Sequence, residues 1–255
     1  MIDKDTGRFV WYELMTTDSN AAVAFYGETV GWKTQSLGEG GDYRLWVASQ
    51  GPLGAVMTLP EAAKVTGAPP RWISNVTVSD VDATCAKIKE LGGRVDKEPK
   101  SIPDVGRFAV IADPQGASIA ILTPARPTAP HDTQKHGEYC WGELSTTDRP
   151  GALAFYQAIF GWEHQLDVDM GSMGTYTLFG HDGKHLGGIF QNPAGKPVPT
   201  AWLYYIQVDD LDAAVSRAQN NGAKLLNGPM AVPGGARIAQ FMDPQGATFA
   251  LHQSP

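Results

Sequence analysis

Cysteine is scarce in this chain, with two in 255 residues, Cys85 and Cys140. One falls on a predicted helix face and the other inside a predicted strand, which argues against a disulfide scaffold and for a cytoplasmic setting. Basic clusters are missing too. The 20 Lys and Arg residues are scattered singly among 27 Asp and Glu, for a formal net charge of -7. Such a chain repels nucleic acid and anionic membrane surfaces, so neither is an expected partner. No apolar run approaches membrane-spanning length, and Met1–Asp5 carries no apolar signal region. Histidine is absent from the first half: His131, His136, His164, His181, His185 and His252 all lie in or beyond its end. Gly183, Gly187 and Gly188 are not followed by Gly-Lys-Ser/Thr, so they form no phosphate loop. What remains, at 42% hydrophobic and 18% charged, is a globular composition long enough for two domains with cores of their own.

The sequence matches itself at a shift of 130 positions. Trp11, Glu13, Leu14, Thr16, Thr17 and Asp18 return as Trp141, Glu143, Leu144, Thr146, Thr147 and Asp148. Phe25, Tyr26, Gly31 and Trp32 return as Phe155, Tyr156, Gly161 and Trp162, and Trp72 as Trp202. Asp113-Pro114-Gln115-Gly116-Ala117 returns as Asp243-Pro244-Gln245-Gly246-Ala247. Around Tyr43 and Gly54 three inserted residues move the partners to Tyr176 and Gly187. Agreement over this length marks two homologous domains, 8–123 and 138–253. The prolines of the intervening 124–137 suit an extended linker.

Each half contains two smaller units of one plan. A strand at Val10–Met15 precedes a helix that Asp18 caps and Gly31 ends, with Ala22, Phe25, Tyr26 and Thr29 as its packing stripe. Three short strands follow, near Trp32, Tyr43–Ala48 and Ala55–Leu59. The second unit opens with a strand at Trp72–Val78 and a helix capped by Asp80, with Val81, Cys85 and Ile88 buried. Its last two strands, Arg107–Ala112 and Ser118–Leu122, are joined by the turn Asp113-Pro114-Gln115-Gly116. Asp148 and Asp210 are the corresponding caps in the second half. The chain is an α+β protein that writes βαβββ four times.

Four such modules, an Asp-capped helix with Ala-x-x-Phe-Tyr before Gly-Trp, and a closing Asp-Pro-x-Gly hairpin resemble the vicinal oxygen chelate superfamily. That superfamily includes glyoxalase I, extradiol dioxygenases and bleomycin-resistance proteins. The Trp-x-Glu-Leu-x-Thr-Thr-Asp opening is similar to a tandem-domain, actinobacterial-type subgroup, some of whose members are labelled hydroxylases. The resemblance implies two glyoxalase-like domains whose mixed sheets curl into cups with helices outside, each cup holding a small molecule. It also implies three metal-ligand positions per cup. These fall on Trp11, Ile73 and Ala120 in the first half and on Trp141, Leu203 and Ala250 in the second. None of these side chains can ligate a divalent ion, so no metal or other cofactor is expected.

Strand alternation then selects the cup lining. Trp11 and Glu13 face inward, with Asn75, Arg107 and Ala120 on neighbouring strands. This reading pairs Ala109 with Ala120 and Arg107 with Leu122. In the second half the lining is Trp141, Glu143, Leu203, Tyr205, Arg237, Thr248, Ala250 and His252. Glu13, Arg107, Glu143 and Arg237 are the candidates for acid–base chemistry, unless each Glu–Arg pair only stabilises the sheet. Trp11 and Trp141 either stack on a planar ligand or fill the space of the missing metal. Three functions stay open: a metal-independent binder of a planar or aromatic metabolite or antibiotic, a superfamily lyase, isomerase or dioxygenase, and an interaction protein with filled cups. The partner expected is a small molecule, and the chain a monomer or homodimer.

Overall fold

The computed structural model describes residues 6–36, 42–65, 67–127, 129–193, 195 and 198–255. Thr128 of the linker and the Met1–Asp5 segment lie outside the described residues. In chain order the first half forms β1 (Phe9–Thr16), α1 (Ser19–Val30), β2 (Lys33–Ser36), β3 (Arg44–Ala48), β4 (Gly51–Thr58), α2 (Glu61–Val65), β5 (Arg71–Thr77), α3 (Val81–Glu90), β6 (Arg94–Ile102), β7 (Gly106–Ala112) and β8 (Ser118–Pro124). The second half forms β9 (Tyr139–Thr146), α4 (Arg149–Phe160), β10 (Glu163–Asp169), β11 (Thr175–His181), β12 (Lys184–Gln191), β13 (Ala201–Gln207), α5 (Leu211–Asn220), β14 (Lys224–Ala231), β15 (Arg237–Met242) and β16 (Thr248–Gln253), with a single 3-10 turn at Gly171–Met173. The strands make two mixed eight-stranded sheets, ordered β2-β3-β4-β1-β5-β8-β7-β6 and β10-β11-β12-β9-β13-β16-β15-β14. The α+β class and the fourfold βαβββ plan hold, with α2 as an unforeseen single turn and a half.

The caps act as expected. The Asp18 carboxylate accepts from the amides of Asn20 and Ala21, and Gly31 closes α1 in the left-handed conformation at φ 77. Asp148, Asp80 and Asp210 accept from the amides of Gly151, Ala83 and Ala213. Each caps donors that a helix start otherwise leaves unpaired. Gly54 and Gly187, matched in the repeat, sit where parallel strands crowd: a Cβ there would lie 2.0 Å from the Tyr12 carbonyl oxygen and 1.9 Å from that of Gly142.

The chain forms two compact units that do not follow the sequence halves. One consists of residues 1–10, 73–130 and 141–202, the other of 11–72, 131–140 and 203–255. Each unit therefore combines one module from each half. In the second of them, Tyr26 of α1 donates to Asp243 Oδ2 at 3.0 Å and accepts from Trp72 Nε1 at 2.9 Å. In the other, Tyr156 of α4 donates to Asp113 Oδ2 at 3.1 Å and accepts from Trp202 Nε1 at 3.1 Å. The other oxygen of each aspartate accepts from the amides of its own turn, Gln115 and Ala117 or Gln245 and Ala247. The Asp-Pro-Gln-Gly segment is thus a turn, as its composition says, and also the acceptor for a tyrosine contributed by the opposite half.

Aromatic rings pack around each of these bonds. Trp32, Trp46 and Trp72 pack on Tyr26, with Tyr139 against Trp32 and Trp72, and Phe160, Trp162, Phe179 and Trp202 form the equivalent cluster with Tyr156. Trp32 Nε1 donates to the Gly137 carbonyl and Trp162 Nε1 to that of Gly7, both at 2.7 Å. The donors of Trp32, Trp72, Trp162 and Trp202 thus all find acceptors inside these cores.

Tyr26→Phe and Tyr156→Phe should each cost about 2–3 kcal/mol, because a buried carboxylate oxygen and a buried indole N–H lose their partner. Urea unfolding measures this, and a cost near zero would remove the bond from the stability of the unit. Burial pushes the Asp113 and Asp243 carboxyls up from their ordinary value, outweighing the hydrogen bonds that pull them down. The folded chain therefore holds these protons more tightly than the unfolded one. Their contribution to stability is fully present below the ordinary Asp range and is lost as pH rises through the raised values. Asp243→Asn should flatten that part of the stability-versus-pH curve.

Candidate functional site

The opening strands carry one hydrogen-bond chain twice. In the first copy Trp11 Nε1 donates to Tyr43 Oη at 3.2 Å, and Tyr43 donates to Glu13 Oε1 at 2.6 Å. In the second copy Trp141 Nε1 donates to Tyr176 Oη at 3.0 Å, and Tyr176 donates to Glu143 Oε2 at 2.9 Å. Alternation along β1 and β9 puts Trp and Glu on one face. The tyrosine comes from two strands away, Tyr176 on β11 and Tyr43 immediately before β3, because β4 lies between β1 and β3, and β12 between β9 and β11. Glu13 pairs with Ala55 and Ala55 with Leu45, while Glu143 pairs with Gly188 and Gly188 with Leu178. The phenol can cross the middle strand only where its residue is small. At Gly188 a Cβ would lie 2.1 Å from the Tyr176 ring.

The chain has a direction. Burial and the adjacent carboxylate push the phenols of Tyr43 and Tyr176 above their ordinary value. Each tyrosine keeps its proton and donates it to the glutamate, whose position is thereby fixed on the sheet. All six residues are half-buried. Each copy thus offers an indole with its N–H engaged, beside an oriented carboxylate. Tyr43 and Tyr176 were not selected from the sequence. The signal lay in the repeat, where they match only after the three-residue insertion is allowed for.

Arg107 and Arg237 require correction. The observed register pairs Arg107 with Thr123, Ala109 with Ile121 and Val110 with Ala120. It is one residue away from the expected pairing, and one residue moves a side chain to the opposite face. Arg107 binds the Asp82 carboxylate of α3 through Nε and Nη2, the latter at 2.7 Å. Arg237, paired with Gln253, binds Asp212 of α5 with both guanidinium nitrogens at 2.8 Å. Both guanidiniums are thus spent on helix carboxylates of their own module, Asp82 and Asp212, in place of the glutamate partners expected from the sequence.

The remaining expectations divide by unit. Asn75 and Ala120 are register partners in one unit, both buried. In the other unit Tyr205 partners Ala250 and Gln207 partners His252. Gln240, opposite Ala250, donates to Tyr205 Oη at 2.6 Å and was missed for the same register reason. At the positions where family membership would put metal ligands, the side chains are indole, branched alkyl and methyl, and the indole nitrogens already donate to tyrosines. These residues do not fit a divalent ion. Among the described residues no group of three or more His, Cys, Asp or Glu is placed to hold one elsewhere. Cys85 and Cys140 are free thiols, and burial pushes the Cys140 thiol up to about 12. Among the described residues, no helix is long and apolar enough to cross a membrane.

The family model described as Glyoxalase/Bleomycin resistance protein/Dioxygenase superfamily matches residues 8–121 and 141–251. The chain belongs to this superfamily. It is 33% identical over 245 residues to "Putative glyoxylase CFP32" of Mycobacterium tuberculosis, covering 94% of this chain and 92% of that one. It is 28% identical to the anthracycline biosynthesis protein DnrV of Streptomyces peucetius, over 96% and 92% of the two chains. Among solved structures, the 2,3-dioxygenase LapB of Pseudomonas sp. KL28 aligns with a TM-score of 0.69 at 11% identity, covering 98% of this chain and 93% of that one. The Mn(II)-bound glyoxalase of Novosphingobium aromaticivorans aligns at 0.66 and 15%, covering 98% and 82%. At such identities these structures establish the shared fold alone.

Gly188→Ala should displace the Tyr176 ring, break its bond to Glu143 and cost about 1–3 kcal/mol through overpacking. In a Tyr176→Ala background the same change should be nearly neutral. A double-mutant cycle with equal costs in both backgrounds would show that Tyr176 does not occupy the crossing.

Proposed function

We propose that this superfamily member binds a planar or aromatic small molecule through its Trp–Tyr–Glu chains, without a metal at the family position. The observation that carries this reading is the repetition of the chain in both copies, with indole, phenol and carboxylate in the same order. An indole fixed at its N–H keeps its faces for stacking. A carboxylate fixed by a phenol keeps its charge for a cationic edge of the ligand. The absence of donor side chains at the metal positions supports a binding mode independent of metal. DnrV's name places it in anthracycline biosynthesis, which makes fused aromatic ring systems a reasonable first ligand class. On this reading the protein is cytoplasmic, a monomer or homodimer, and has neither nucleic acid nor membrane as a partner.

The test uses proflavine, a planar cation, and anthraquinone, a neutral planar ring system. Both should quench tryptophan emission and raise the melting temperature. Trp11→Ala or Trp141→Ala should weaken both ligands. Glu13→Gln or Glu143→Gln should weaken proflavine about tenfold, or 1.4 kcal/mol, and leave anthraquinone nearly unchanged. No response to either compound would sink the proposal.

A second reading draws on the phenol–carboxylate contact, which suits acid–base chemistry on an oxygen-bearing substrate, as in the superfamily's lyases, isomerases and dioxygenases. It needs Glu13 or Glu143 as the proton-accepting group, with Arg107 and Arg237 outside it. Turnover that survives chelation and is lost in Glu13→Gln or Glu143→Gln would favour this reading over simple binding.

A further inference from the structure

The face formed by β13, β15 and β16 carries a polar cluster that the Trp–Tyr–Glu chains do not use. Register places Tyr205 and Gln240 on either side of Ala250, and Gln207 beside His252. His252 Nδ1 lies 2.8 Å from Gln207 Oε1. An amide oxygen only accepts, so Nδ1 carries the proton. A neutral imidazole has one N–H, which leaves a lone pair on Nε2. Among the described residues Nε2 has no hydrogen-bond partner. Ser254 Oγ also approaches Gln207 Oε1, at 3.3 Å, helping to orient the amide. Burial pushes the imidazole below its ordinary value, in keeping with a neutral ring.

The first copy has no such cluster. The positions 130 residues earlier are Asn75 for Tyr205, Thr77 for Gln207, Val110 for Gln240 and Leu122 for His252. The Thr77 hydroxyl accepts from the Arg8 amide. One repeat thus places an alkyl chain where the other places an imidazole whose tautomer is fixed by a neighbour.

We infer that the second copy recognises a ligand hydroxyl through His252 Nε2, with Gln207 as the residue that sets the tautomer. Tyr205, Gln207, Gln240 and His252 include no cation, so nothing in the cluster compensates a carboxylate or phosphate. A lone pair on the sheet face that also carries the Tyr205 phenol instead suits a neutral, acidic O–H on a flat ligand, that is, a phenol or an enol. The inference deepens the proposed aromatic binding and rests on it for the ligand's ring, while the hydroxyl contact stands on the imidazole geometry.

The experiment uses the full chain, nitrogen-labelled at histidine, with His252 assigned by comparison with His252→Gln. The probes are 4-cyanophenol, at a pH where it keeps its proton, and its methyl ether, which lacks the O–H. The expected result is an unprotonated Nε2 whose resonance moves with 4-cyanophenol, and about tenfold tighter binding of the phenol than of the ether. His252→Leu, which restores the residue of the first copy, should abolish that preference, and Gln207→Leu should weaken it. An Nε2-protonated tautomer overturns the inference whatever binds. Equal binding of phenol and ether, sensitive to Trp11→Ala or Trp141→Ala, overturns it and leaves the stacking proposal standing. A phenol preference indifferent to both tryptophans leaves this inference standing and removes the stacking. An Nε2 resonance that neither probe moves overturns the hydroxyl assignment.

Discussion

A buried hydrogen bond between a helix tyrosine and a turn aspartate holds each compact unit together. Tyr26 reaches Asp243 and Tyr156 reaches Asp113, so each bond joins residues from different halves of the duplicated sequence. The aspartate is confined by its own Asx-type turn and the tyrosine by its helix, and a tryptophan N–H completes the phenol's partners. A carboxylate this deep is costly unless its lone pairs are used. Here one oxygen serves the turn and the other serves the opposite half. The aromatic clusters around Tyr26 and Tyr156 then exclude water from both bonds. Duplication allows the arrangement: a single copy would have to find its tyrosine or its aspartate on another molecule.

The Trp–Tyr–Glu chains depend on a different constraint, the size of the residue between two bonded strands. Alternation places the indole and the carboxylate side by side without help. The phenol must cross a third strand, over Ala55 in one copy and over Gly188 in the other, where even a Cβ would meet the ring. The same sheet geometry decides the fate of the arginines. A one-residue difference in hairpin register turns Arg107 and Arg237 toward Asp82 and Asp212 on the helices. Acid–base pairing of Glu with Arg therefore gives way to a phenol-anchored carboxylate.

The two copies are alike in scaffold and in the Trp–Tyr–Glu chain, and unlike on their closing strands. Asn75, Thr77, Val110 and Leu122 stand in one copy where Tyr205, Gln207, Gln240 and His252 stand in the other. The positions that hold the cores are kept while these closing-strand positions differ, although Asn75, Thr77, Leu122, Tyr205 and Gln207 are themselves buried. This divergence separates the copies chemically, since the second places an imidazole at His252 where the first places the alkyl chain of Leu122.

The sequence by itself determined the duplication, the βαβββ plan, the caps at Asp18, Asp80, Asp148 and Asp210, and the superfamily. These rest on local rules: a capping carboxylate, a left-handed glycine and a helical stripe act within a few residues, and the repeat reports them twice. It also put Trp11 on one strand face with Glu13, and Trp141 with Glu143, since neighbours two apart on a strand share a face. The tertiary structure alone decided which module packs with which, because the Tyr–Asp partners lie far apart in the chain and nothing local links them. It also decided the hairpin register that removed Arg107 and Arg237, and the strand order that delivers Tyr43 and Tyr176. Register and strand order come from the summed packing of whole sheets on their helices, and no short stretch of residues encodes that sum.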